Sequence, residues 1–278
     1  MTTLPGASGT CCACGSRSSA SHRAADPAVN QGLAAQKLNR NLGIGGGSLR
    51  AVLFDATGTL IETARPVGEV YRDLARAHGV WLGAERLEDA FRRILALAPP
   101  LVFPDAPPDR IAQLEAGWWR SVVRSTFLAA DGTARFRDFE AFFAALYAHY
   151  AGAAAWRARA GAREALERLR AGGLATGVVS NFDGRLPGIL AGLGLAERLG
   201  IVMLPGEARA AKPDPRIFAL ALARLGVPSA AAVYVGDARA ADLAGARAAG
   251  LAAFDASGLA SLAELPARLL GRTANEAR

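Results

Sequence analysis

The sequence LRAVLFDATGT, which runs from Leu49 to Thr59, is the strongest indication of the fold of this chain. It contains an unbroken apolar run, Ala51 to Phe54, that ends at Asp55 and is followed by Gly58. A short apolar run without polar alternation is typical of a strand that is buried on both faces, and the glycine favours a tight turn after it. The stretch therefore predicts the central strand of a parallel sheet, with an acid at its carboxyl end.

Similar apolar segments recur along the chain, and amphipathic helical segments separate them. The predicted strands are Leu174 to Ser180, Ile201 to Leu204, Ala231 to Gly236 and Leu251 to Phe254. The predicted helices are Gly161 to Ala171, Pro187 to Leu193, Pro215 to Leu225 and Asp242 to Ala249. This alternation predicts an α/β, Rossmann-like parallel sheet with right-handed crossovers and helices on both faces. Ligands of such sheets bind at the carboxyl ends of the strands.

A long helical segment interrupts this pattern after the first strand. Residues 63–160 show no convincing strand and are predicted to form an inserted α-helical cap domain, while residues 49–62 and 161–270 form the core domain. The predicted cap helices are Pro66 to His78, Arg86 to Leu97, Ile111 to Phe127 and Phe136 to Tyr150, with a proline-rich break from Pro99 to Pro108. Such an insert is well placed to act as a lid over the site.

Charge and hydropathy exclude two classes of partner. The 278 residues are 51% hydrophobic, but no apolar stretch reaches the roughly 18 residues that a membrane span needs. The formal net charge is +7, yet the basic residues are interspersed with acids at helical spacing, as in Arg163, Glu164, Glu167 and Arg168. This is the pattern of solvated helix faces, so we expect neither membrane nor nucleic-acid binding.

The first 48 residues differ from the rest in composition. Residues 1–48 are rich in Ser, Gly, Ala and Arg, and they are predicted to form a disordered tail. The three cysteines, Cys11, Cys12 and Cys14, all lie there, so the folded part is free of thiols. We expect a cytoplasmic protein; the alternative is an organellar protein for which the acid-poor tail serves as a transit peptide.

Polar residues follow two of the predicted strands where those strands end. Asp55 is a candidate carboxylate nucleophile, with Gly58 and Thr59 in the turn after it. Ser180 and Asn181 end the second strand, where a hydroxyl and an amide can hydrogen-bond a phosphoryl oxygen or serve only the turn.

A lone lysine and two further acids complete the candidate site. Lys212 and Lys37 are the only lysines, in a chain that otherwise uses arginine, so position 212 is predicted to need a compact ammonium group. Asp237 ends the strand Ala231 to Gly236, and Asp242 follows it in the sequence. Together with Asp55 they offer the hard oxygen ligands that Mg²⁺ prefers, although Asp237 is also a candidate helix cap.

These residues resemble the signature of the haloacid dehalogenase superfamily over about Leu49 to Leu265. More narrowly, FDATGTLI, ARPVGEVYRDLARAHGV, WWRSVVRSTF and VVSNFDGRL resemble the haloacid dehalogenase-like hydrolase domain-containing protein 3 subfamily. The resemblance implies an Mg²⁺-dependent hydrolase that acts on a small phosphate ester. It assigns roles as follows: Asp55, Lys212 and Ser180 catalytic; Gly58, Thr59, Ser180, Asn181 and Lys212 phosphate-binding; Asp55, Thr57, Asp237 and Asp242 metal-binding, Thr57 through its carbonyl.

One position departs from the pattern of the family's phosphatases. They usually carry a second Asp two residues after the nucleophile, which protonates the leaving group; here that residue is Thr57. Loss of general acid–base catalysis typically costs about 10² to 10⁴ in rate, so we expect slow turnover through an aspartyl-phosphate. Asp183 is a candidate substitute acid, but it is predicted to form a turn or a helix cap.

Two other functions remain open at this point. One is a catalytically silent scaffold that binds phosphate or metal, which the Thr57 replacement favours. The other is a 2-haloacid dehalogenase, which has no use for a metal site and is therefore disfavoured by Gly236-Asp237. Trp118-Trp119 could stack on a ring-bearing substrate, but we expect these residues to pack within the helical bundle. The sequence does not predict the oligomeric state.

Overall fold

A computed structural model describes residues 49–237 and 240–270, without the side chains of residues 240–242. The predicted tail, residues 1–48, lies outside them. In chain order the elements are β1 (Ala51–Phe54), β2 (Ile61–Thr63), α1 (Val67–Ala77), α2 (Ala84–Leu97), α3 (Ile111–Ala130), α4 (Phe139–Ala151), β3 (Trp156–Ala158), α5 (Ala162–Ala171), β4 (Ala175–Val179), α6 (Leu186–Gly192), β5 (Ile201–Met203), α7 (Pro205–Ala208), α8 (Pro215–Leu225), β6 (Ala232–Gly236), α9 (Ala240–Ala248), β7 (Ala252–Asp255) and α10 (Leu265–Leu270).

The core is a five-stranded parallel sheet in the order β5-β4-β1-β6-β7. Strand β1 lies at its centre and all four of its residues are fully buried. Val52 and Phe54 point to the face covered by α5 and α6, and Leu53 points to the face covered by α8 and α9. The sheet confirms the predicted α/β class, and helices on both faces explain why β1 is apolar at every position.

The helical insert, α1 to α4, packs around an aromatic cluster of its own. Phe127 lies at the centre, with ring centroids 5.9 Å from Tyr71, 4.8 Å from Phe136 and 5.2 Å from Phe142. Offset and edge-to-face contacts at these distances stabilise a core beyond the area that they bury. All four helices overlap the predicted ones, and the proline-rich segment separates α2 from α3 as expected.

The expectation that residues 63–160 hold no strand is wrong. Strand β3 lies within them and pairs antiparallel with β2, with Ile61 opposite Ala158. Each strand has only three residues, too few to show a period in the sequence, and their pairing depends on contacts between residues far apart in the chain. Strand β2 leads into the insert and β3 lies at its end, so this antiparallel pair holds the two ends of the insert together shortly after Asp55.

Among the described residues, no helix is both long enough and apolar enough to cross a bilayer.

Close packing of α1 on α2 depends on Gly68. A Cβ atom at this position would lie 2.1 Å from the Ala84 carbonyl oxygen and 2.7 Å from the Glu88 backbone nitrogen. We expect Gly68→Ala to lower the free energy of unfolding by about 1–3 kcal/mol, because the backbone of α2 must move. Gly117→Ala on α3 is the matched control, since a Cβ there meets no atom within 4 Å and should add about 0.5–1 kcal/mol.

Thermal unfolding of both variants measures this difference. The Tm should fall for Gly68→Ala and rise for Gly117→Ala; equal changes would contradict the predicted close contact.

Candidate active site

Adjacent parallel strands bring the predicted site residues to one edge of the sheet. Phe54 is in register with Val178 on β4 and with Val235 on β6. Asp55, Ser180 and Asp237 each follow these positions by one or two residues, so they end neighbouring strands on the same side. Asp55 and Ser180 are buried, at 3% and 4% exposure.

Asp55 and Lys212 form a buried ion pair. The Lys212 Nζ atom lies 3.0 Å from Asp55 Oδ1, and the two side chains are 1% and 5% exposed. The same carboxylate oxygen accepts a hydrogen bond from the Ala56 backbone N–H at 2.7 Å. Removal of one partner from a buried ion pair typically costs about 3–5 kcal/mol, because the other charge is left uncompensated. The pair therefore fixes the position of the Asp55 carboxylate.

Asn181 holds the backbone of Lys212. Its Oδ1 accepts from the Lys212 N–H at 2.7 Å, and its Nδ2 donates to the Lys212 carbonyl at 2.9 Å. Only an amide side chain supplies one acceptor and one donor in this arrangement. The structure thus gives Asn181 a role in positioning the lysine, and its predicted contact with phosphate stays a prediction.

Gly58 brings the turn after Asp55 against Asp237. Its φ is +84°, which favours glycine, and a Cβ atom would lie 2.3 Å from Asp237 Oδ2. The missing side chain therefore lets the Asp237 carboxylate lie directly beside the turn. Two carboxylates, of Asp55 and Asp237, and the backbone of Thr57 meet at this edge.

These donors fit a hard divalent cation. Of the predicted ligands Asp55, Thr57, Asp237 and Asp242, the described side chains supply two carboxylates, and Mg²⁺ typically takes one or two carboxylates and completes its coordination with water and phosphate oxygens. The described residues hold no cluster of three or more His, Cys, Asp or Glu side chains. Asp242 lies on α9, and its side chain is outside the described residues, so its metal-binding role stays a prediction.

Thr59 lies behind the turn. It is fully buried, and within the described part of the chain its hydroxyl finds no hydrogen-bond partner. Its predicted contact with phosphate stays a prediction.

One face of helix α3 docks the insert on the core beside the site. Ile111, Glu115 and Trp119 are four residues apart and share this face. Glu115 Oε2 accepts from the Gly184 N–H at 3.0 Å, and Trp119 Nε1 donates to Asp183 Oδ2 at 2.6 Å. The two Trp rings pack edge-to-face within the insert, with centroids 4.9 Å apart, and Trp118 donates to the Pro99 carbonyl. The contact of Trp119 with Asp183 of the core was not expected from the sequence.

Asp183 and Arg185 form the core side of this contact. Asp183 is fully buried and pairs with Arg185 at 2.6 Å, and its Oδ1 accepts from the Arg185 backbone N–H at 3.0 Å. Arg185 also lies over the Tyr147 ring of α4, 3.9 Å from its centroid. The backbone bond confirms the predicted turn role of Asp183. Its two carboxylate oxygens are engaged by Arg185 and Trp119, so a role as a substitute acid stays a prediction.

Sequence reasoning missed Tyr234, which lies on β6 two residues before Gly236. It is fully buried, and its hydroxyl accepts a hydrogen bond from Lys212 Nζ at 2.7 Å. Residues two apart on a strand share a face, so a polar aromatic residue two positions before Gly236 was the available signal.

Comparison with known proteins identifies the family. A family model described as haloacid dehalogenase-like hydrolase matches residues 49–250. Haloacid dehalogenase-like hydrolase domain-containing protein 3 of Mus musculus is 39% identical over 190 residues, which cover 68% of this chain and 74% of that protein. N-acetylmuramic acid 6-phosphate phosphatase of Pseudomonas aeruginosa is 27% identical over 190 residues, with the same coverage of 68% and 74%.

Solved structures share the fold. A dehalogenase crystal structure matches with a TM-score of 0.56 and 25% identity, covering 77% of this chain and 87% of its own. The HAD phosphatase from Thermococcus onnurineus matches with a TM-score of 0.54 and 24% identity, covering 80% and 98%. The chain belongs to the haloacid dehalogenase-like hydrolase family. This confirms the predicted superfamily, the resemblance to domain-containing protein 3 and the assignment as a hydrolase.

Glu115 makes the contact between insert and core sensitive to pH. Burial raises the pKa of its carboxyl group, and the nearby Asp183 charge raises it further, against the opposing effects of the Gly184 N–H and Arg185. The folded protein therefore binds this proton more tightly than the unfolded chain does. Its stability then falls as pH rises from the ordinary value of 4.5 through the raised pKa.

We expect Glu115→Gln to remove this pH-dependent loss of stability. Relative to the native chain, the Tm of the variant should increase as pH rises through that window, because glutamine does not titrate and keeps an acceptor oxygen. Thermal unfolding at a series of pH values measures it, and Glu85→Gln, which removes an exposed charge from α2, is the control. A Tm difference independent of pH would rule out the titration of Glu115.

Proposed function

We propose that this hydrolase is an Mg²⁺-dependent phosphatase of small phosphorylated metabolites, with Asp55 as its nucleophile. The observation that carries the proposal is the buried Asp55–Lys212 ion pair at the carboxyl edge of the sheet, where Gly58 admits the Asp237 carboxylate. A buried carboxylate at this edge needs a compensating charge, and Lys212 supplies it. The two carboxylates, of Asp55 and Asp237, support metal-assisted transfer of an anionic group.

The proposed chemistry has two steps at Asp55. The carboxylate attacks phosphorus, a P–O bond to Asp55 forms, and the bond to the leaving alcohol breaks. Water then attacks the phosphorus, releases inorganic phosphate and restores the carboxylate. Holding Oδ1 with the Ala56 N–H and Lys212 fixes the orientation of the nucleophile for the first step.

Lys212 and Ser180 are the proposed partners of the transferred group. The ammonium group of Lys212 offsets the negative charge of nucleophile and substrate when they approach each other. Ser180 follows the neighbouring strand β4, and in the proposal its hydroxyl donates a hydrogen bond to a phosphoryl oxygen. Asp55, Asp237 and the Thr57 carbonyl would hold Mg²⁺, with Asp242 in support; when bound, the ion would neutralise phosphoryl charge.

Thr57 sets the proposed limit on the rate. Its hydroxyl does not protonate a leaving alkoxide at neutral pH as a carboxylic acid does. Esters whose leaving groups need little protonation should therefore be hydrolysed faster than alkyl phosphates. We infer that the aspartyl-phosphate persists longer than in enzymes with an acid at this position, because no carboxylate there activates the incoming water.

The insert is the proposed cap over the bound substrate. Trp119 and Glu115 bring α3 against the loop that follows Ser180, which places this helix next to the proposed phosphate site. The Pseudomonas relative is, by its name, a phosphatase of a sugar phosphate. That name supports a phosphate ester as the substrate class; the residues of the cap would select its organic part.

Two observations favour other functions. The Thr57 replacement favours a silent protein that binds phosphate or metal without turnover. The structural similarity to a dehalogenase favours attack of Asp55 on carbon. The Asp237 carboxylate beside Gly58 argues against the second, because a metal site has no use in that reaction.

Hydrolysis by the native chain, Asp55→Asn and Thr57→Asp tests the proposal. Phosphate release should require Mg²⁺ and be abolished in Asp55→Asn, which keeps the shape of the side chain but not the nucleophile. Thr57→Asp should accelerate hydrolysis of an alkyl phosphate such as glycerol phosphate by about 10² to 10⁴. Turnover of p-nitrophenyl phosphate should also accelerate, because an acid at this position activates the water of the second step, whereas the first release of p-nitrophenol should change much less.

Thr57→Asn is the matched control, since it has the shape of aspartate without its acidity and should give no acceleration. Binding of Mg²⁺ and phosphate without turnover in both the native chain and Thr57→Asp would identify a silent binding protein. Chloride release from 2-chloropropionate without Mg²⁺ would identify a dehalogenase.

A further inference from the structure

Tyr234 is a buried polar residue on the face of the sheet that α8 and α9 cover. Asp55 lies on the same face. Leu53 on β1 is in register with Tyr234 on β6, and both belong to the apolar cluster beneath α8 and α9. Asp55 lies two residues after Leu53, so its side chain points to the same face. The Tyr234 hydroxyl therefore lies on the same side of the sheet as the Asp55 carboxylate, where Lys212 Nζ contacts both groups.

The surrounding residues hold the Tyr234 ring in one place. Phe218 of α8 packs edge-to-face against it, with ring centroids 5.2 Å apart at 88°. Gly236 leaves room for it, because a Cβ atom there would lie 3.2 Å from Tyr234 Cε1. A ring fixed on both sides presents its hydroxyl as a rigid acceptor.

A rigid acceptor can hold the flexible side chain of Lys212 in one conformation. The lysine side chain has four rotatable bonds, and all four lose freedom when the ammonium group is held in one place. Asn181 fixes only its backbone. The ammonium group lies 2.7 Å from the Tyr234 hydroxyl, 5.3 Å from its ring centroid and 3.0 Å from Asp55 Oδ1. Tyr234 thus contacts the ammonium group from the protein interior, whereas Asp55 contacts it at the edge of the sheet.

We propose that Tyr234 is a positioning residue for Lys212, which it holds in contact with the nucleophile through its hydroxyl group. The part of this inference that concerns turnover rests on the proposed phosphatase function; the part that concerns the lysine does not. Tyr234 acts through Lys212 and has no contact with substrate in the proposal. Its loss should therefore affect the reaction step more than substrate binding.

The chain permits a direct spectroscopic test because Lys37 and Lys212 are its only lysines. Protein labelled with ¹⁵N-lysine gives at most two side-chain ammonium signals, and Lys212→Arg assigns them. In the native chain the Lys212 signal should be distinct from that of free lysine and slow to exchange with solvent. Tyr234→Phe, which keeps the ring and removes only the hydroxyl, should shift this signal and speed its exchange.

Tyr150→Phe is the matched control. Tyr150 is a partly buried tyrosine outside the sheet, and its hydroxyl has no hydrogen-bond partner within the described residues. This variant should leave the Lys212 signal unchanged. A Lys212 signal that is identical in native and Tyr234→Phe proteins, or indistinguishable from free lysine in the native chain, would overturn the proposal.

Kinetics provide the second readout. With p-nitrophenyl phosphate and Mg²⁺, Tyr234→Phe should slow the first release of p-nitrophenol, measured as a pre-steady-state burst, by about 10-fold, the order expected for loss of one hydrogen bond to a charged group. The substrate concentration that half-saturates this burst rate should change less than about 2-fold, and Tyr150→Phe should change neither value. A higher half-saturating concentration at an unchanged maximal burst rate would instead place Tyr234 in substrate binding and overturn the positioning role. If the native chain has no turnover, the proposed function fails, and the lysine spectrum still decides the role of Tyr234.

Discussion

The buried contact between Asp55 and Lys212 is the interaction on which the rest of the site depends. A carboxylate with 5% of its side chain exposed is stable as an anion only if other groups compensate its charge, and here a lysine and a backbone N–H do so. The surrounding residues keep these groups together. Asn181 fixes the lysine backbone, Tyr234 contacts its ammonium group, and Gly58 lets Asp237 approach.

The insert adds a second polar contact beside this site. Asp183 is fully buried where the insert meets the core, and Arg185 compensates its charge. From the insert, Trp119 donates to Asp183 and Glu115 accepts from the Gly184 N–H. Such a contact is directional, because buried polar groups are stable only with their partners in place. It therefore specifies one arrangement of α3 on the core. It holds α3 against the loop that contains Asp183 and Gly184, which is the arrangement that the proposed cap requires.

Much of the fold could be predicted from the sequence because the apolar segments are short, strong and regularly separated. The strand of Leu53 and the amphipathic helix Pro215–Leu225 are visible from local pattern alone. Strand β3 could not be predicted, since three residues show no period and pair with a distant segment. The site residues at the strand ends could be predicted for the same reason. The contacts of Tyr234, Trp119 and Asn181 were not, because they depend on which side chains meet across elements.

The most direct test of the central claim is to trap the intermediate on the nucleophile. Protein quenched in acid during turnover of p-nitrophenyl phosphate, reduced with borohydride and sequenced by mass spectrometry should carry homoserine in place of Asp55, because reduction cleaves an aspartyl-phosphate to that residue. The slow second step that we infer from Thr57 should make this species abundant. Continued phosphate release with unmodified Asp55, or with the modification on a different acid, would contradict the account.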